Sequence, residues 1–329
     1  MIPSLSELRP YLLNPELSEA DCIKAIRSLS AGFTVSRDKM GKYGDDADLV
    51  SAYTLLYLPT NWPKLSYILS QIKPEVRADL ENANFIDFGC GPGTYSLAWS
   101  ESIKTKSITL VDYSKSMLKQ AENLLTQFRP DIEVNAQTVI SQAPEGKTVL
   151  FFGHSINEIG VKESLKVVNR LDPDYVFFIE PGTSEFFQSA KEFRKSMIEK
   201  GMSIAYPCPS LGACPNDWCH QVWRGTHDPE LERLCQLGHI DRRTQAMTAH
   251  LYSKKEVSDS RATFVRFLTE TKFSFEWESC TPGPELKKLQ WQKKKFSKAE
   301  VKQMQKKSVG EKFEFEVEKE LPDGILRLK

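Results

Sequence analysis

A glycine-rich loop carries the clearest chemical signature in this sequence. The segment Asp87-Phe-Gly89-Cys90-Gly91-Pro-Gly93 directly follows a short apolar run and precedes a helix-like stretch. Glycines let the backbone turn sharply, and they let a ligand approach where a Cβ would block it. The order G-x-G-x-G differs from the G-x-G-x-x-G of dinucleotide-binding loops, and no Gly-Lys-Ser/Thr follows to make a Walker loop. The segment therefore predicts a site for a nucleoside and not for a chain of phosphates.

A carboxylate follows the loop where a nucleoside site needs one. Asp112 ends the next apolar run, 19 residues after Gly93. An acid there can accept hydrogen bonds from both ribose hydroxyls. The two features together resemble the Rossmann-like class of S-adenosylmethionine-dependent methyltransferases. The resemblance implies S-adenosyl-L-methionine as cofactor, bound by Asp87, Gly89, Cys90, Gly91, Gly93, Asp112 and Tyr113. The alternative is a tight β-α turn followed by an incidental aspartate.

Polar residues follow two later apolar runs. His154-Ser-Ile-Asn157-Glu158 comes after the fourth run, and Glu180-Pro-Gly-Thr183 ends the fifth. Because ligands bind at the carboxyl ends of strands in such sheets, Asn157 and Glu158 are candidate catalytic residues that orient a methyl acceptor. A helix N-cap by Ser155 or Asn157 is an equally good interpretation. Neither segment matches the Asn-Pro-Pro-Tyr motif of amino-directed methyltransferases, which leaves the target atom open.

Three cysteines occur within twelve residues, at Cys208, Cys214 and Cys219. The prolines around them break regular structure, and thiolates bind zinc or iron–sulfur clusters, so the segment suits a loop around a metal. The alternative is a set of unrelated buried thiols, since free cysteine is often buried. The chain has seven cysteines, an odd number that argues against a disulfide framework.

A metal in this loop would need a fourth ligand from elsewhere in the chain. Cys235 is nearest in sequence, and Cys280 is the distal choice. His220 and His227 are weaker candidates. The residues alone leave the choice between Cys235 and Cys280 open.

Short apolar runs alternating with helix-like stretches must position these residues. The runs cover residues 85–89, 107–112, 132–137, 147–155 and 175–182. The clearest helix extends to Phe128, with Ser114 as its N-cap. Continuous apolar strands that alternate with amphipathic helices indicate a parallel sheet covered on both faces. We therefore expect an α/β fold over residues 84–202, and the resemblance stated above implies that its sheet is the Rossmann-like sheet of class I methyltransferases.

The flanking regions differ from this pattern. Residues 1–83 read as an N-terminal helical region whose helices should be short, because Pro59, Pro63 and Pro74 interrupt it. Residues 203–329 read as a cysteine-rich, cluster-binding and C-terminal basic β region. Strands are expected where Phe273, Phe275 and Trp277 alternate with polar residues, and again at Phe313, Phe315 and Val317.

Composition excludes several classes of protein. The 329 residues are 40% hydrophobic and 27% charged, with a net charge of +0, which excludes disorder as the main state. No run approaches the roughly 20 apolar residues that cross a bilayer. The first residues lack the basic start and apolar stretch of a secretory signal. We expect a soluble cytoplasmic protein.

The neutral total hides a basic stretch. Residues 287–307 contain nine lysines and one acid, Glu300, around the aromatic residues Trp291 and Phe296. Lysines suit phosphate contacts, and aromatic rings can stack on bases. A solvated, partly flexible charged segment is the simpler interpretation.

The motifs together resemble one family, the methyltransferase-like assembly factors of the small ribosomal subunit that are best known from mitochondria. The resemblance rests on the segments Ala52–Thr60, Asp87–Gly93, Asp112–Met117, His154–Glu158, Glu180–Thr183, Pro207–Pro209 and Asp217–His220. It implies a four-iron, four-sulfur cluster held by Cys208, Cys214, Cys219 and Cys280, with zinc as the rival. It also implies contact between the lysine-rich stretch and small-subunit rRNA, and we expect a monomer.

Two functions follow from this resemblance. The first is methyl transfer from S-adenosylmethionine to RNA of the small ribosomal subunit. The second is a non-catalytic assembly factor that binds rRNA and uses the cofactor and cluster structurally.

Overall fold

The computed structural model describes residues 2–34, 43–216, 218–283 and 285–329. Its helices are α1 (Leu5–Leu8), α2 (Glu19–Thr34), α3 (Ala47–Gln71), α4 (Pro74–Leu80), α5 (Thr94–Ser102), α6 (Lys115–Phe128), α7 (Ile156–Ile159), α8 (Val161–Leu171), α9 (Ser184–Glu199), α10 (Pro229–Gly238) and α11 (Lys298–Gln305). Short 3₁₀ helices cover Arg9–Tyr11, Tyr43–Asp45 and Lys293–Lys295.

The strands fall into two sheets. The first contains β1 (Asn84–Phe88), β2 (Ser107–Val111), β3 (Glu133–Gln137), β4 (Thr148–Gly153), β5 (Tyr175–Pro181), β6 (Ser203–Tyr206), β7 (Gln221–Arg224) and β8 (Thr244–Ser253). The second contains β9 (Ala262–Glu270), β10 (Ser274–Cys280), β11 (Leu286–Gln292), β12 (Lys312–Phe313), β13 (Val317–Glu320) and β14 (Leu326–Leu328).

The first sheet has the doubly wound order β3-β2-β1-β4-β5-β8-β6, with β7 paired to β8. Strands β1 to β5 are parallel, and β8 is antiparallel to β5, β6 and β7. All five strands expected from the apolar runs are present. The order of the chain reverses between β1 and β4, which is where such sheets bind ligands. The Rossmann-like α/β fold predicted from the sequence is confirmed.

Successive residues of the central strands point to opposite faces of this sheet. Phe151 and Phe177 pack in one apolar cluster with α3, α5 and α6, whereas Phe152 and Phe178 pack in another with α8 and α9. This is the period-2 alternation of a strand that is buried on both sides. Helix α6 begins as expected, because the Ser114 side chain accepts a hydrogen bond from the Met117 amide at 3.1 Å.

Helix α3 corrects the expectation of short N-terminal helices. It runs for 25 residues through both Pro59 and Pro63, and only Pro74 starts a new helix, at the first turn of α4. An internal proline costs about 3 kcal/mol or more because a backbone hydrogen bond is lost. Here 16 of the 25 residues are buried, and packing in the apolar cluster that α3 shares with α2, α5 and the first sheet offsets that cost. The long helix carries residues from the N-terminal region to the edge of the sheet.

The first sheet continues beyond residue 202, where the sequence suggested a boundary. Strands β6, β7 and β8 all pair within it. Strand β8 was not recognisable from its pattern, because it buries the polar residues Gln245, Thr248 and His250. In the second sheet, β10 contains the expected Phe275 and Trp277, but it begins at Ser274, so the expected Phe273 lies outside it and is exposed. The other expected strand is divided, since β12 ends at Phe313 and β13 begins at Val317.

Candidate functional site

The glycine loop connects β1 to α5 and has three residues with positive φ. Gly89 has φ 75° and Gly91 has φ 52°, both in the left-handed region that favours glycine. A Cβ on Gly89 would lie 2.5 Å from the Cβ of Ser155, whereas a Cβ on Gly91 would meet no atom within 4 Å. Gly89 is therefore required for close packing. Gly91 is required by its backbone conformation and faces open space.

Asp112 lies directly after β2 and contacts this loop. Its Oδ2 accepts a hydrogen bond from the Gly91 amide at 2.9 Å, and its Oδ1 accepts one from the Ser114 amide at 2.9 Å. Burial raises the pKa of this carboxyl, although the two amide hydrogen bonds oppose the shift. The structure thus brings together the glycine loop and the acid that the sequence singled out 19 residues later.

A cavity of about 250 Å³ opens at this point, and we call it the glycine-loop pocket. Its lining includes Gly89, Cys90, Gly91, Asp112, Tyr113 and Thr138. Two other residues expected at the cofactor, Asp87 and Gly93, do not line it. Asp87 is 1% exposed beneath the loop, where the Ser96 hydroxyl donates to its Oδ2 at 2.7 Å. Burial raises the pKa of Asp87 to about 7.

A second cavity of about 570 Å³ adjoins the first, and we call it the tyrosine pocket. Its lining includes Phe33, Tyr43, Tyr53, Tyr57, Lys64 and Arg242. Sequence analysis did not identify these residues as part of a site. Tyr53 and Tyr57 lie four residues apart, hence on one face of α3, and this spacing was the one available signal. No sequence signal pointed to Arg242, because it lies in the connection between α10 and β8 and belongs to no periodic pattern.

Asn157 and Glu158 line the tyrosine pocket, and Glu158 also lines the glycine-loop pocket. Neither capping alternative describes helix α7. The Ser155 hydroxyl donates to the Phe88 carbonyl at 2.7 Å and makes no cap. Instead, the buried carboxylate of Glu180 accepts hydrogen bonds from the amides of Ile156 at 2.7 Å and Asn157 at 3.4 Å. Glu180 thus holds the first turn of α7 in place.

Basic groups lie at the base of the tyrosine pocket. His154 has φ 63°, and its Nε2 lies 3.3 Å from the Lys64 Nζ and 3.2 Å from the Tyr95 hydroxyl. Burial, with Arg242 nearby, lowers the pKa of Lys64 well below its usual value. Burial, with Lys64 and Arg242, does the same for His154. Arg242 donates to the Asn61 Oδ1 at 2.6 Å and lies over the Tyr57 ring, 5.3 Å from its centroid.

The cysteines form a separate group. Cys208, Cys214 and Cys280 line a cavity of about 30 Å³. Burial raises the pKa of Cys219 well above its usual value, and the neighbouring Cys280, Cys208 and Cys214 add to this shift. Cys235 lies elsewhere, buried in α10 within the cluster that packs against α3.

A single-ion metal site is not formed by these thiols. Among the residues that the structure describes, no group of three or more His, Cys, Asp or Glu side chains could hold a metal ion. The metal or cluster loop expected from the sequence is therefore not supported by the arrangement of the side chains. Three of the thiols line one small cavity without converging as ligands of one ion, and all seven cysteines are free of disulfides.

Residues 47–273 match the model of a family described as mitochondrial small ribosomal subunit Rsm22, a span of more than half the chain. The chain belongs to this family. The resemblance proposed from the sequence motifs is thus confirmed, and the matched span contains both pockets' sheet elements and the cysteine loop. No curated protein matches the chain.

Solved structures similar to this Rsm22-family chain are distant in sequence. A putative RNA methyltransferase from Pyrococcus horikoshii is 14% identical, with TM-score 0.38, covering 61% of this chain and 85% of its own. Magnesium protoporphyrin IX methyltransferase from Synechocystis, with bound SAM, is 10% identical, with TM-score 0.39 and coverages of 70% and 97%. Ribosomal protein L11 methylase from Lactobacillus delbrueckii is 13% identical, with TM-score 0.36 and coverages of 60% and 79%. Since all three scores lie below 0.5, the fold assignment rests on the strand order described above.

The lysine-rich stretch of this Rsm22-family chain is more ordered and more paired than its composition suggested. Lys293 pairs with Glu270, and Lys295 pairs with Glu318. The lysines that remain exposed without a recorded partner in the described chain include Lys298, Lys302 and Lys306, along α11.

The aromatic residues of this stretch are turned inward. Trp291 is 8% exposed and packs against Trp277 and Phe313 in the core of the second sheet. The expectation that Trp291 stacks on bases is therefore wrong. Among the described helices, none is long and apolar enough to cross a membrane.

Proposed function

We propose that this chain binds S-adenosyl-L-methionine in the glycine-loop pocket and methylates RNA of the small ribosomal subunit. The observation that carries the proposal is the placement of the Asp112 carboxylate against the Gly91 amide at the carboxyl edge of a doubly wound sheet. Ligands bind at this edge, and an acid there recognises ribose hydroxyls. The family description, which names the small ribosomal subunit, supports the choice of substrate.

The glycine-loop pocket would bind the cofactor, and the tyrosine pocket would orient the methyl acceptor. Asp112 would accept hydrogen bonds from the ribose, and Tyr113, which is 69% exposed, would cover it from the solvent side. Bound S-adenosylmethionine supplies an electrophilic methyl group. Asn157 and Glu158 would orient the acceptor from the tyrosine pocket. Catalysis would then consist mainly of alignment, which can supply several kcal/mol of the barrier.

A non-catalytic assembly factor is the second candidate. It is favoured by the segment after β4, which reads His154-Ser-Ile-Asn157 and lacks the Asn-Pro-Pro-Tyr motif of amino-directed methyltransferases. Such a protein would bind the cofactor and rRNA without transferring a methyl group. Both candidates require the glycine-loop pocket, so its geometry does not separate them.

We also propose that Cys208, Cys214, Cys219 and Cys280 hold a four-iron, four-sulfur cluster. The donor set is the reason for the proposal: the thiols of Cys208, Cys214 and Cys280 line one cavity, and all three are neighbours of Cys219. Zinc is the rival, because four thiolates would satisfy it equally well, and the arrangement of the described side chains does not favour either metal.

The surrounding residues hold the cysteine loop in a defined path. Arg194 is buried and donates to the carbonyls of Ser210 and Gly212 at 2.7 and 2.8 Å. The Asn216 side-chain amide contacts the Cys280 sulfur at 3.8 Å. Bound at this point, the cluster would link the loop to strand β10 and so stabilise the fold. The monomeric state, the cytoplasmic location and the rRNA contact of the lysine-rich stretch stay predictions.

One experiment separates the two candidate functions. Protein purified without oxygen is incubated with methyl-labelled S-adenosylmethionine and immature small ribosomal subunits. Label recovered in RNA supports methyl transfer, and tight binding of both partners without transfer supports the assembly factor. An Asn157→Ala variant is the control, because Asn157 lines the tyrosine pocket but not the glycine-loop pocket, and it should reduce transfer while cofactor binding persists.

A further inference from the structure

The tyrosine pocket opens directly onto the glycine-loop pocket. The two cavities share part of their lining, namely Tyr43, Tyr53, Asn61, Tyr113, His154 and Glu158. A group in the second cavity would therefore contact whatever occupies the first. At about 570 Å³, the second cavity lies in the range of small-molecule sites, about 300–1,000 Å³. This volume exceeds what an acceptor atom alone would need.

Aromatic rings form the wall of this pocket. Phe33 meets Tyr43 and Tyr57 edge-to-face, with ring centroids 5.5 and 5.6 Å apart. Tyr53 lies between them, 6.3 Å from Tyr43 and 4.7 Å from Tyr57. Flat rings stack on such surfaces with little regard to their substituents, which is how proteins hold unpaired bases. The wall thus suits a flat heteroaromatic group.

The main competitor, a lysine or arginine side chain of a protein substrate, fits the polar groups of this pocket less well. Arg242, Lys64 and His154 face the pocket, against one acid, Glu158. Lys64 is 4% exposed, and burial disfavours charge on Lys64 and His154, so these two act as hydrogen-bonding groups and Arg242 is the cation that would oppose a positively charged acceptor. A neutral base carries ring nitrogens and carbonyl oxygens that can accept from these donors.

We infer that the tyrosine pocket takes a single nucleobase, unstacked from RNA, and holds it beside the glycine-loop pocket. This inference rests on the proposed function and extends it to the form in which RNA is recognised. Enzymes that act on a base extrude it from its stack and read it between aromatic side chains and hydrogen-bonding groups. Here the rings of α2 and α3 would stack on the base, and Lys64 and Arg242 would contact its polar edge.

The test compares RNA pentamers that differ in one base. The probes are fluorescein-labelled pentamers in which only the central nucleotide carries a base, with A, C, G and U tested separately, and a fully abasic pentamer. Because all carry the same phosphates, backbone contacts cancel. Affinities are measured by anisotropy with S-adenosylhomocysteine present. The parent should prefer at least one base-carrying pentamer over the abasic one by tenfold or more.

A filling variant and a matched control locate the effect. Ala246 is exposed and lines the tyrosine pocket but not the glycine-loop pocket, so Ala246→Trp should abolish the preference. Thr244→Trp, two residues away on the exposed side of β8, should keep it. Phe33→Ala, which removes part of the wall, should reduce the preference as well.

Calorimetry with S-adenosylhomocysteine separates the possible failures. Binding of S-adenosylhomocysteine with no preference for any base, or with a preference that survives Ala246→Trp, overturns the inference and leaves the proposed function standing. Ala246→Trp-sensitive binding of a lysine-containing peptide in place of the bases overturns it too. Absence of S-adenosylhomocysteine binding to the parent overturns both proposals.

Discussion

The Asp112 carboxylate accepts a hydrogen bond from the Gly91 amide at 2.9 Å, and so joins the end of β2 to the loop after β1. The contact lies where the strand order reverses, and it holds the carboxylate against the open side of the glycine loop. It therefore has two consequences: the loop is held in its left-handed conformation, and an acceptor is presented to the pocket.

The first prediction concerns this carboxylate. Asp112→Ala should weaken S-adenosylmethionine binding by about 1–3 kcal/mol, the range for leaving polar partners unpaired. Isothermal titration calorimetry measures the change, with circular dichroism to show that the variant is folded. Asp131→Ala, at an exposed acid outside both pockets, is the control and should leave the affinity unchanged. Equal affinities for parent and Asp112→Ala would remove the ribose assignment.

The second prediction concerns RNA and salt. Neutralising Lys298, Lys302 and Lys306 should flatten the slope of log affinity against log salt by about two units, at roughly 0.7–0.9 for each lost phosphate contact. Lys293 and Lys295 are already paired with acids, so Lys293→Gln with Lys295→Gln should flatten the slope less. Filter binding to small-subunit rRNA over a salt series measures both slopes. An unchanged slope in the triple variant would show that these three lysines are exposed to solvent and do not contact RNA phosphates.

The third prediction concerns the cysteines. Protein purified without oxygen should be brown and contain iron and sulfide, and Cys280→Ser should lose both. Cys235→Ser is the control, because Cys235 is buried in α10, away from the other four. Elemental analysis with a sulfide assay decides the matter. Zinc without iron in the parent would exclude the cluster, and iron lost only from Cys235→Ser would exclude Cys280 as ligand.

The fourth prediction concerns pH. Burial raises the folded-state pKa of Asp87 to about 7, against an unfolded value of about 3.9. For an acid with a raised pKa, the folded state binds the proton more tightly, so stability falls as pH rises between these two values. Asp87→Asn removes this titrating carboxyl, and with it the pH dependence of stability that the carboxyl causes. Relative to the parent, its free energy of unfolding should therefore rise from pH 4 to pH 7, by up to about 1.4 kcal/mol per pH unit.

Denaturant titration of both ligand-free proteins at pH 4, 5.5, 7 and 8 checks this slope. The difference in free energy of unfolding between Asp87→Asn and the parent should stop growing above pH 7. A constant difference across the whole range would show that folding does not shift the pKa of Asp87.

The parts of the fold that could be predicted from the sequence are those encoded locally. Gly91 and Asp112 sit at the ends of two apolar strands, and strand, loop and helix signals there agree with one another. Helix α3 could not be predicted as one helix, because the packing that overrides Pro59 and Pro63 comes from α2, α5 and the first sheet, which are separate elements of the fold. Burial of α3 in the folded protein outweighs the low helix propensity of its two internal prolines.

The tyrosine pocket was not predictable for a related reason. Its wall combines α2, α3 and Arg242, and the Arg242 hydrogen bond to Asn61 spans 181 residues. No local pattern reports such a contact. The grouping of Cys280 with the cysteine loop is also long-range, since its partner Asn216 is 64 residues away, and only the family resemblance indicated it.

Titration of S-adenosylmethionine into the parent and into Gly91→Val tests the central claim most directly. A side chain at Gly91 would enter open space at the pocket and strain a residue with φ 52°. The account predicts saturable one-to-one binding to the parent and loss of that binding in a folded Gly91→Val protein. No binding to the parent, or equal binding to both proteins, would contradict it.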